Sequence, residues 1–386
     1  MKNNFFSYLG KLASYILVAL AAVCVTLWVS AQRPQGSTKL EQLQNLLMNN
    51  FIGEVEQTEL EDAAAHGMVS ALGDRWSYYI PADQYQSYVE QKKNAYVGIG
   101  VTITVTEEGY PIQAVTKGGP AQEAGLLAGD IITAADGVSV IGMDSEEGKA
   151  LIQGKEGTNV QITVLRDGES LTFSVQRRTI KTPVATAQIL DGNIGLITIA
   201  NFNSNCAKET IAAVESLVQQ GAVALIFDVR NNGGGYASEM VKTLDYLLPE
   251  GELFRTINYK NEESVDMSDA DCVELPMAVL VNENSYSAAE FFAVALHDYD
   301  WATVVGAQTS GKGYFQVTYT LMDGSAVGLS IGKYFTPKGI SLEGVGITPD
   351  IPVEVDEQTF YAIYAGTLEP MEDPQILAAI AAVQGA

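Results

Sequence analysis

Two short motifs in the C-terminal half of the sequence carry side chains capable of hydrolytic chemistry. The first is Ser-Tyr-Ser-Ala-Ala-Glu, which contains Ser285 and Ser287, and the second is Gly-Lys-Gly around Lys312. A serine hydroxyl becomes a nucleophile when a neighbouring base takes its proton. A lysine can be that base if its ammonium is desolvated enough to lose a proton near neutral pH. The glycines beside Lys312 permit close backbone approach, and the Tyr-Phe that follows can exclude water.

Histidine is the more usual base, but the sequence contains only His66 and His297. His297 is followed by an aspartate, as in a catalytic triad, yet it lies ten positions beyond Ser287. If the intervening residues are helical, the separation along the helix axis is roughly 15 Å. His66 belongs to a different segment. The spacing therefore disfavours a histidine triad and favours a Ser287/Lys312 dyad.

The loops expected around Ser287 follow apolar strands. Residues 228–235 form one loop, which ends in three glycines, and the other loop leads into Ser287. Ligands of open α/β sheets gather at the carboxyl ends of strands. Ser287 would begin a helix, where free N–H groups favour a developing negative charge. We expect the N–H of Ala288, with one from Gly234 or Gly235, to form an oxyanion hole.

These residues resemble the C-terminal processing peptidases, also called tail-specific proteases. In that family a lysine and then a glutamine follow the serine of an S-x-S-A-[SA]-E element at fixed distances. Here Lys312 lies 25 positions after Ser287, and Gln316 lies four positions after Lys312. Ser285 matches neither the spacing nor the motif position. The resemblance implies that Ser287, Lys312 and Gln316 are catalytic residues, with Gln316 orienting the dyad.

The resemblance covers nearly the whole chain beyond the N-terminal apolar segment. Residues 344–351 match the late G-x-G-I-x-P-D element of the family well, and residues 71–79 match its L-D-P-x-S-x-Y element loosely. Two positions depart from the pattern beside the site: Tyr286 replaces a residue that is usually small, and Ser310 replaces a usual aromatic. We expect these departures to change cleavage preference and to leave the dyad intact.

Residues 94–180 are predicted to form a PDZ domain. Short alternating apolar runs indicate half-buried strands, and residues 118–132 resemble the helix, turn and strand of PDZ domains. Residues 96–100 resemble their carboxylate-binding loop, placed first as in bacterial, circularly permuted versions. A helix near residues 143–153 would close the peptide groove.

The predicted carboxylate-binding residues of this loop are Val97, Gly98, Ile99 and Gly100. Glycine lets successive N–H groups turn inward and form an anion-binding nest. A peptide with its carboxylate in the nest would add as a strand to the neighbouring sheet edge.

The flanking segments complete a multidomain α/β fold. Residues 181–386 alternate buried apolar runs with helical sequence, which predicts the α/β peptidase domain. Residues 38–93 are predicted to be mainly helical. Four leucines there fall at helical spacings of three and four, namely Leu40, Leu43, Leu46 and Leu47. Such short amphipathic helices must pack on the later domains or on a second copy, so a homodimer through this region is expected.

Residues 1–33 are predicted to be a membrane anchor or signal segment. Leu12 to Ala31 is an uncharged run of 20 residues with lysines before it. A helix of that length spans roughly 30 Å, the thickness of a hydrocarbon core. The lysines place the N-terminus in the cytoplasm and the catalytic part outside, at the cell surface or in the periplasm. A cleaved signal peptide is the competing interpretation and would give a secreted protein.

Composition excludes several classes of function. The formal net charge of −25 disfavours nucleic-acid binding. Two histidines and three cysteines, without a ligand-spaced cluster, predict no metal site, and no cofactor is expected. Cys206 and Cys272 are equally compatible with a disulfide and with two free thiols.

The sequence therefore predicts an extracytoplasmic serine endopeptidase that grips protein or peptide substrates by their C-termini. The alternative is a membrane-tethered PDZ adaptor that binds tails without cutting them. The joint presence of Ser287, Lys312 and Gln316 favours the enzyme.

Overall fold

The computed structural model describes residues 17–23 and 38–385. The chain divides into two compact units, Met1–Ala71 and Leu72–Ala386. The predicted membrane segment, Leu12 to Ala31, falls for the most part outside the described residues. Within the two described ranges, no helix combines the length and the apolar character needed to cross a bilayer.

Two helices, α1 (Lys39–Asn50) and α2 (Gln57–Ser70), make up the described part of the first unit beyond residue 38. Thr38 begins α1 with a capping box. Its hydroxyl accepts the N–H of Glu41, and the Glu41 carboxylate accepts the N–H of Thr38. The predicted leucine face of α1 is present, and all four of its side chains are exposed: Leu40, Leu43, Leu46 and Leu47.

The second unit holds the remaining elements. Its strands are β1 (Tyr78–Ile80), β2 (Ala95–Gly98), β3 (Val101–Ile103), β4 (Tyr110–Val115), β5 (Ile131–Ala135), β6 (Val138–Ser139), β7 (Asn159–Arg166), β8 (Glu169–Gln176), β9 (Arg178–Lys181), β10 (Ala185–Leu190), β11 (Ile194–Ile199), β12 (Ala224–Asp228), β13 (Gly251–Asn258), β14 (Glu263–Ser268), β15 (Met277–Val281), β16 (Ala302–Gly306), β17 (Tyr314–Thr320), β18 (Ala326–Phe335) and β19 (Ile351–Pro352). Its α-helices are α3 (Ala82–Lys92), α4 (Pro120–Ala124), α5 (Ser145–Ile152), α6 (Cys206–Gln219), α7 (Ala237–Leu247), α8 (Ala288–Asp298), α9 (Glu357–Tyr364) and α10 (Pro374–Gln384).

The predicted PDZ segment is built on a sheet with the strand order β3-β4-β5-β7-β8 around one apolar core. Strand β3 lies at an edge of this sheet. Helix α5 packs very closely on the sheet at Gly148, where a Cβ would lie 2.0 Å from the Tyr110 ring, so only glycine allows this approach. Strands β2 and β9 pair antiparallel, so the chain enters and leaves the domain through one ribbon.

The peptidase segment is centred on a six-stranded sheet with the order β10-β11-β12-β15-β16-β19. Strand β10 is antiparallel to β11, and the other neighbours are parallel. Helices α6, α7 and α8 pack on one face, and α10 packs on the other. Because both faces are covered, β12 and β15 are buried along their whole length, which explains their unbroken apolar sequence.

A second, antiparallel sheet completes this unit. Its order is β1-β18-β13-β14, and β17 also pairs with β18. Strand β1 comes from the segment before the PDZ domain, so residues 72–93 join the peptidase body through this sheet. Lys312 directly precedes β17, and α3 lies between β1 and the PDZ ribbon in the chain. This sheet therefore brings residues from early in the chain to the neighbourhood of Lys312.

Candidate active site

The two predicted loops lie side by side because β12 and β15 are parallel neighbours, with Asp228 opposite Leu280. Asparagine side chains link the loops. The Asn231 N–H donates to Asn282 Oδ1 (2.9 Å), and the Asn282 amide donates back to Asn231 Oδ1 (2.9 Å). The strand ends thus form one rigid, polar edge, as expected for a ligand site of an open α/β sheet.

Ser287 stands at the N-terminus of α8 and is buried. Its backbone has φ +59° and ψ −126°, a conformation that non-glycine residues rarely adopt. Strained backbone of this kind clusters at catalytic residues, where the surrounding structure enforces it.

Ser285 is held differently. Its hydroxyl donates to the carbonyl of Val229 (2.7 Å) and accepts the N–H of Asn282 (3.0 Å), and the residue is fully buried. The bond to Val229 ties the two loops together, and the bond from Asn282 closes the turn of the serine loop itself. This geometry gives Ser285 a structural role and leaves Ser287 as the candidate nucleophile.

The structure distinguishes between the predicted oxyanion donors, because only some of their N–H groups are still available for a new hydrogen bond. The N–H of Gly234 donates to Asn232 Oδ1 (2.9 Å) and is already occupied. Within the described residues, the N–H groups of Gly235 and Ala288 have no acceptor. Gly234 packs directly on the nucleophile, since a Cβ there would lie 2.8 Å from Ser287 Cβ. The geometry therefore favours Gly235 over Gly234 as the partner of Ala288.

Lys312 lies in the same cleft of about 610 Å³ as Ser287 and Gln316. The Trp76 and Tyr286 rings stack with centroids 5.9 Å apart, and the Lys312 ammonium lies beside this pair, 4.8 Å from the centroid of Trp76 and 5.9 Å from that of Tyr286. Burial lowers the pKa of Lys312 to about 8, and the charge of Lys92 lowers it as well. The carboxylates of Asp74, Glu343 and Glu290 act in the opposite direction. An amine with this pKa is neutral in about a tenth of molecules at pH 7.

The dyad is not closed in this structure. Within the part of the chain that the structure describes, no hydrogen bond joins Ser287 Oγ to Lys312 Nζ. The Gln316 amide donates to the carbonyl of Tyr314 (3.1 Å) and to Ser330 Oγ (2.9 Å), so it does not bond to Lys312 either. The structure brings the three residues to one cleft and leaves the final contacts unmade, as is common before substrate binds.

Glu290 joins the serine loop to the lysine loop, and the sequence motif alone did not reveal this role. Its carboxylate is fully buried. Oε2 accepts the N–H groups of Ser287 (2.9 Å) and Lys312 (2.8 Å), while Oε1 accepts the Thr309 hydroxyl (2.5 Å) and the Gly311 N–H (2.8 Å). One carboxylate therefore sets the backbone of both the nucleophile and the base. Its position three residues after Ser287, as in a capping box, was the available signal.

A second brace reaches the lysine loop from residues 71–79, which the sequence matched only loosely to the family. Arg75 donates to the carbonyls of Ser310 (2.8 Å) and Gly311 (3.0 Å). The Trp76 indole donates to the Glu343 carboxylate (3.2 Å), which also accepts the Gly313 N–H (2.7 Å). These contacts hold the Trp76 ring against Lys312, so this early segment is part of the site.

The predicted tail-binding loop has two unsatisfied donors. The carbonyl of Ile99 accepts the Ala121 N–H (2.8 Å), and that of Gly100 accepts the Thr116 N–H (2.9 Å). Within the described residues, the N–H groups of Ile99 and Gly100 have no acceptor, although both residues are buried. Gly100 has φ +79°, as an inward-turning nest requires. Val97 and Gly98 lie in the β2 ribbon that leads into this loop.

The remaining polar candidates lie away from this chemistry. Helix α8 runs without a break from Ala288 to Asp298, so His297 lies at its far end, where it contacts Asp350 (3.1 Å). The sequence-based exclusion of His297 is therefore confirmed. Cys206 and Cys272 are both free thiols.

Arg230, in the loop after β12, makes two buried ion pairs. Its buried guanidinium contacts the carboxylates of Asp228 (2.7 Å) and Asp373 (2.7 Å). These bonds fix the loop after β12 to the start of α10.

Comparison with known proteins agrees with this architecture. The model of peptidase family S41 matches residues 193–353, that of the PDZ domain matches 97–176, and that of the activating protease CtpB N-terminal domain matches 26–84. A putative S41 protease from Bacteroides fragilis has the same fold, with a TM-score of 0.54 at 14% identity. The match covers 89% of this chain and 97% of that one.

Two relatives share more of their sequence with this chain than the Bacteroides fragilis protein does. The carboxy-terminal processing protease CtpA of Bacillus subtilis is 31% identical over 89% of this chain and 76% of its own length. A probable CtpA-like serine protease of Staphylococcus haemolyticus is 32% identical over 82% of this chain and 64% of its own. The family expectation is thereby confirmed, and the chain belongs to the carboxy-terminal processing serine proteases.

Proposed function

We propose that this protein cleaves peptide bonds by acyl-enzyme chemistry with Ser287 as nucleophile and Lys312 as base. The observation that carries the proposal is the pairing of a strained serine at a helix N-terminus with a desolvated lysine, both fixed by Glu290. Neutral Lys312 takes the Ser287 proton while Oγ bonds to the substrate carbonyl carbon. The N–H groups of Ala288 and Gly235 hold the oxyanion that forms.

The reaction then completes in three proton transfers. Protonated Lys312 gives its proton to the leaving amine as the C–N bond breaks, which leaves an ester on Ser287. Water, deprotonated by the same lysine, attacks that ester, and the lysine returns this proton to Ser287 Oγ as the ester C–O bond breaks, which releases the acid and regenerates the serine. Gln316 is positioned to orient the Lys312 amine once this group has moved from Trp76 toward Ser287. Substrate binding would close the dyad.

Substrate tails are proposed to bind at Ile99 and Gly100. The two free, buried N–H groups of this loop support capture of a C-terminal carboxylate. The edge position of β3 supports addition of the tail as a strand, with α5 on the other side of the groove. Proteins or peptides with an accessible C-terminus are thus the substrate class.

The domain division proposed is a segment 1–33, a helical region 38–93, a PDZ domain 94–180 and a peptidase domain 181–386. We further propose that residues 1–33 anchor the protein in the membrane with the catalytic part outside the cytoplasm. The exposed leucine face of α1 supports a homodimer through the helical region, because a second copy would cover it.

The test uses the purified protein and peptides that differ at their C-termini, with products identified by mass spectrometry. Ser287→Ala is expected to abolish cleavage and labelling by a serine-directed probe. Ser285→Ala is the matched control. It removes two structural hydrogen bonds and should lower stability, but it should still cleave and be labelled. Cleavage that survives in Ser287→Ala would overturn the mechanism, and tail binding without any cleavage by the wild type would favour the adaptor.

A further inference from the structure

The catalytic cleft is positively charged in a strongly acidic protein. The chain carries 47 Asp and Glu residues against 22 Lys and Arg residues. Among the described residues that line the cleft there is no carboxylate, whereas Arg75, Lys92, Lys93 and Lys312 all line it. A cleft lined by one sign of charge concentrates ligands of the opposite sign.

Two of these cations already have a structural or a proposed catalytic role. The Arg75 guanidinium bonds to two carbonyls of the lysine loop and stacks over the Trp76 ring at 4.1 Å. Lys312 is the base of the proposed dyad. That leaves Lys92, the last residue of α3, and Lys93, its C-cap, which line the same cleft.

Lys92 and Lys93 lack an anionic partner of their own. Within the described residues, neither ammonium lies within 4.0 Å of a carboxylate. Lys92 is half-buried and sits 5.7 Å from the centroid of the Tyr88 ring, and Lys93 is exposed. The helix dipole favours a cation at this end of α3. The dipole does not explain why two cations line a cleft that has no carboxylate among its described lining residues.

We propose that Lys92 and Lys93 form a subsite that binds a carboxylate of the substrate next to the scissile bond. The proposal rests on the proposed function, since it names a substrate feature of the same cleft. The carboxylate has two sources, an Asp or Glu side chain beside the cleaved bond, or the terminal carboxylate of a substrate cut close to its end. The closeness of Lys92 to the base supports this placement, because its charge lowers the pKa of Lys312.

The test compares peptides that differ only in charge. In the first arm, Glu or its isostere Gln is placed in turn at each position around the cleaved bond. All these peptides keep the same C-terminal tail, so that PDZ binding contributes equally to both members of a Glu/Gln pair. In the second arm, peptides that end a few residues beyond the bond are compared as free acid and amide. Each pair is measured twice, as kcat/KM with the active protein and as Kd with Ser287→Ala.

The wild type should prefer the charged member of a pair about three- to fivefold in at least one arm, and added salt should reduce that ratio. The double variant Lys92→Gln/Lys93→Gln should bring the ratio to about one, and Lys92→Glu/Lys93→Glu should invert it. Lys260→Gln is the matched control. Its ammonium lies over Tyr259 at 5.6 Å, as Lys92 lies over Tyr88, but outside the cleft, so it should leave the ratio unchanged.

Equal kcat/KM and equal Kd for charged and neutral peptides in both arms would overturn the subsite. A preference that persists at full size in the Gln double variant would also overturn it. If a double variant is unfolded, the salt dependence of the wild-type ratio decides alone. A Kd preference without any cleavage would support the subsite and refute the proposed protease function, so the two failures are distinguishable.

Discussion

The Glu290→Gln exchange keeps the shape of a fully buried side chain and removes its charge. The four donors around the carboxylate determine how the amide would sit. Its carbonyl oxygen would face the N–H groups of Ser287 and Lys312, and its NH2 group would face Thr309. The Thr309 oxygen can accept, as it already does from Ile347. The Gly311 N–H and the Thr309 hydroxyl hydrogen, which both bond to Oε1 in the wild type, are then left without an acceptor.

The cost follows from this count. An unsatisfied buried donor costs about 1–3 kcal/mol, so the two left by Glu290→Gln should lower the free energy of unfolding by about 2–4 kcal/mol. Glu290→Ala removes the acceptor for all four donors and should cost about 5 kcal/mol. Displaced loops should lower kcat about 10–100-fold in the glutamine variant and further in the alanine variant, because small misplacements of reacting groups are costly.

A pH profile separates positioning from simple destabilisation. The negative charge of Glu290 raises the pKa of Lys312, so its removal should move the acid limb of the kcat/KM profile below its wild-type midpoint near 8. Glu209→Gln is the matched control, since that carboxylate also accepts backbone N–H bonds, from Val184 (2.7 Å) and Ala185 (3.4 Å). It should lose stability and keep the wild-type profile.

Kinetics and urea unfolding should be measured on the same preparations of wild type and variants. A folded Glu290→Ala protein with wild-type kcat would refute the claim that this carboxylate sets the dyad. An acid limb that moved to higher pH in Glu290→Gln would refute the electrostatic reasoning even if activity fell.

Wild-type kcat/KM should rise with pH through a midpoint near 8, because Lys312 of the free enzyme acts as a base only when neutral. Lys312→Arg should be inactive at every pH, and a flat wild-type profile across that midpoint contradicts this reasoning. Lys312→Met should raise the free energy of unfolding at pH 7 by about 1–3 kcal/mol. Between about pH 8 and pH 10.5 the native state of the wild type binds fewer protons than its unfolded state, so the free energy of unfolding rises with pH. Across that window the difference in free energy of unfolding between the wild type and Lys312→Met should disappear. Urea titrations at several pH values check this. In Gly100→Ala the residue must keep φ +79°, and its new Cβ would lie 3.2 Å from Thr116 Cβ. The variant should therefore bind a free-acid tail peptide about tenfold more weakly than the wild type does, and it should bind the amidated peptide no better than the wild type. Equal binding of the free acid to both proteins, measured by fluorescence anisotropy, would refute the nest.

Much of the chemistry could be predicted from the sequence. The 25-residue spacing of Ser287 and Lys312 separated Ser287 from Ser285, and helix geometry alone excluded His297. The glycine pattern at residues 96–100 predicted the loop that is proposed to bind substrate tails. These inferences rest on local features, since turn glycines, apolar periodicity and motif spacing act over a few residues.

Other features of the site were beyond sequence reasoning. The choice between Gly234 and Gly235 as oxyanion donor was left open, and it depends on the Asn232 side chain, which occupies the N–H of Gly234. Tyr286 was noted only as an unusual residue, although its ring forms one side of the contact around Lys312. Both depend on how a loop folds back on its neighbours.

The sequence by itself determined the family, and it was enough to predict the domain order and the side chains proposed to react. Only the tertiary structure decided the environment that makes them reactive. Trp76, brought to Lys312 through the antiparallel sheet, contributes to the burial that lowers the lysine pKa, and Glu290 joins two loops that are separate in the chain. A pKa depends on solvent exclusion and on charges within a few ångströms, and those distances are set by packing between segments far apart in sequence.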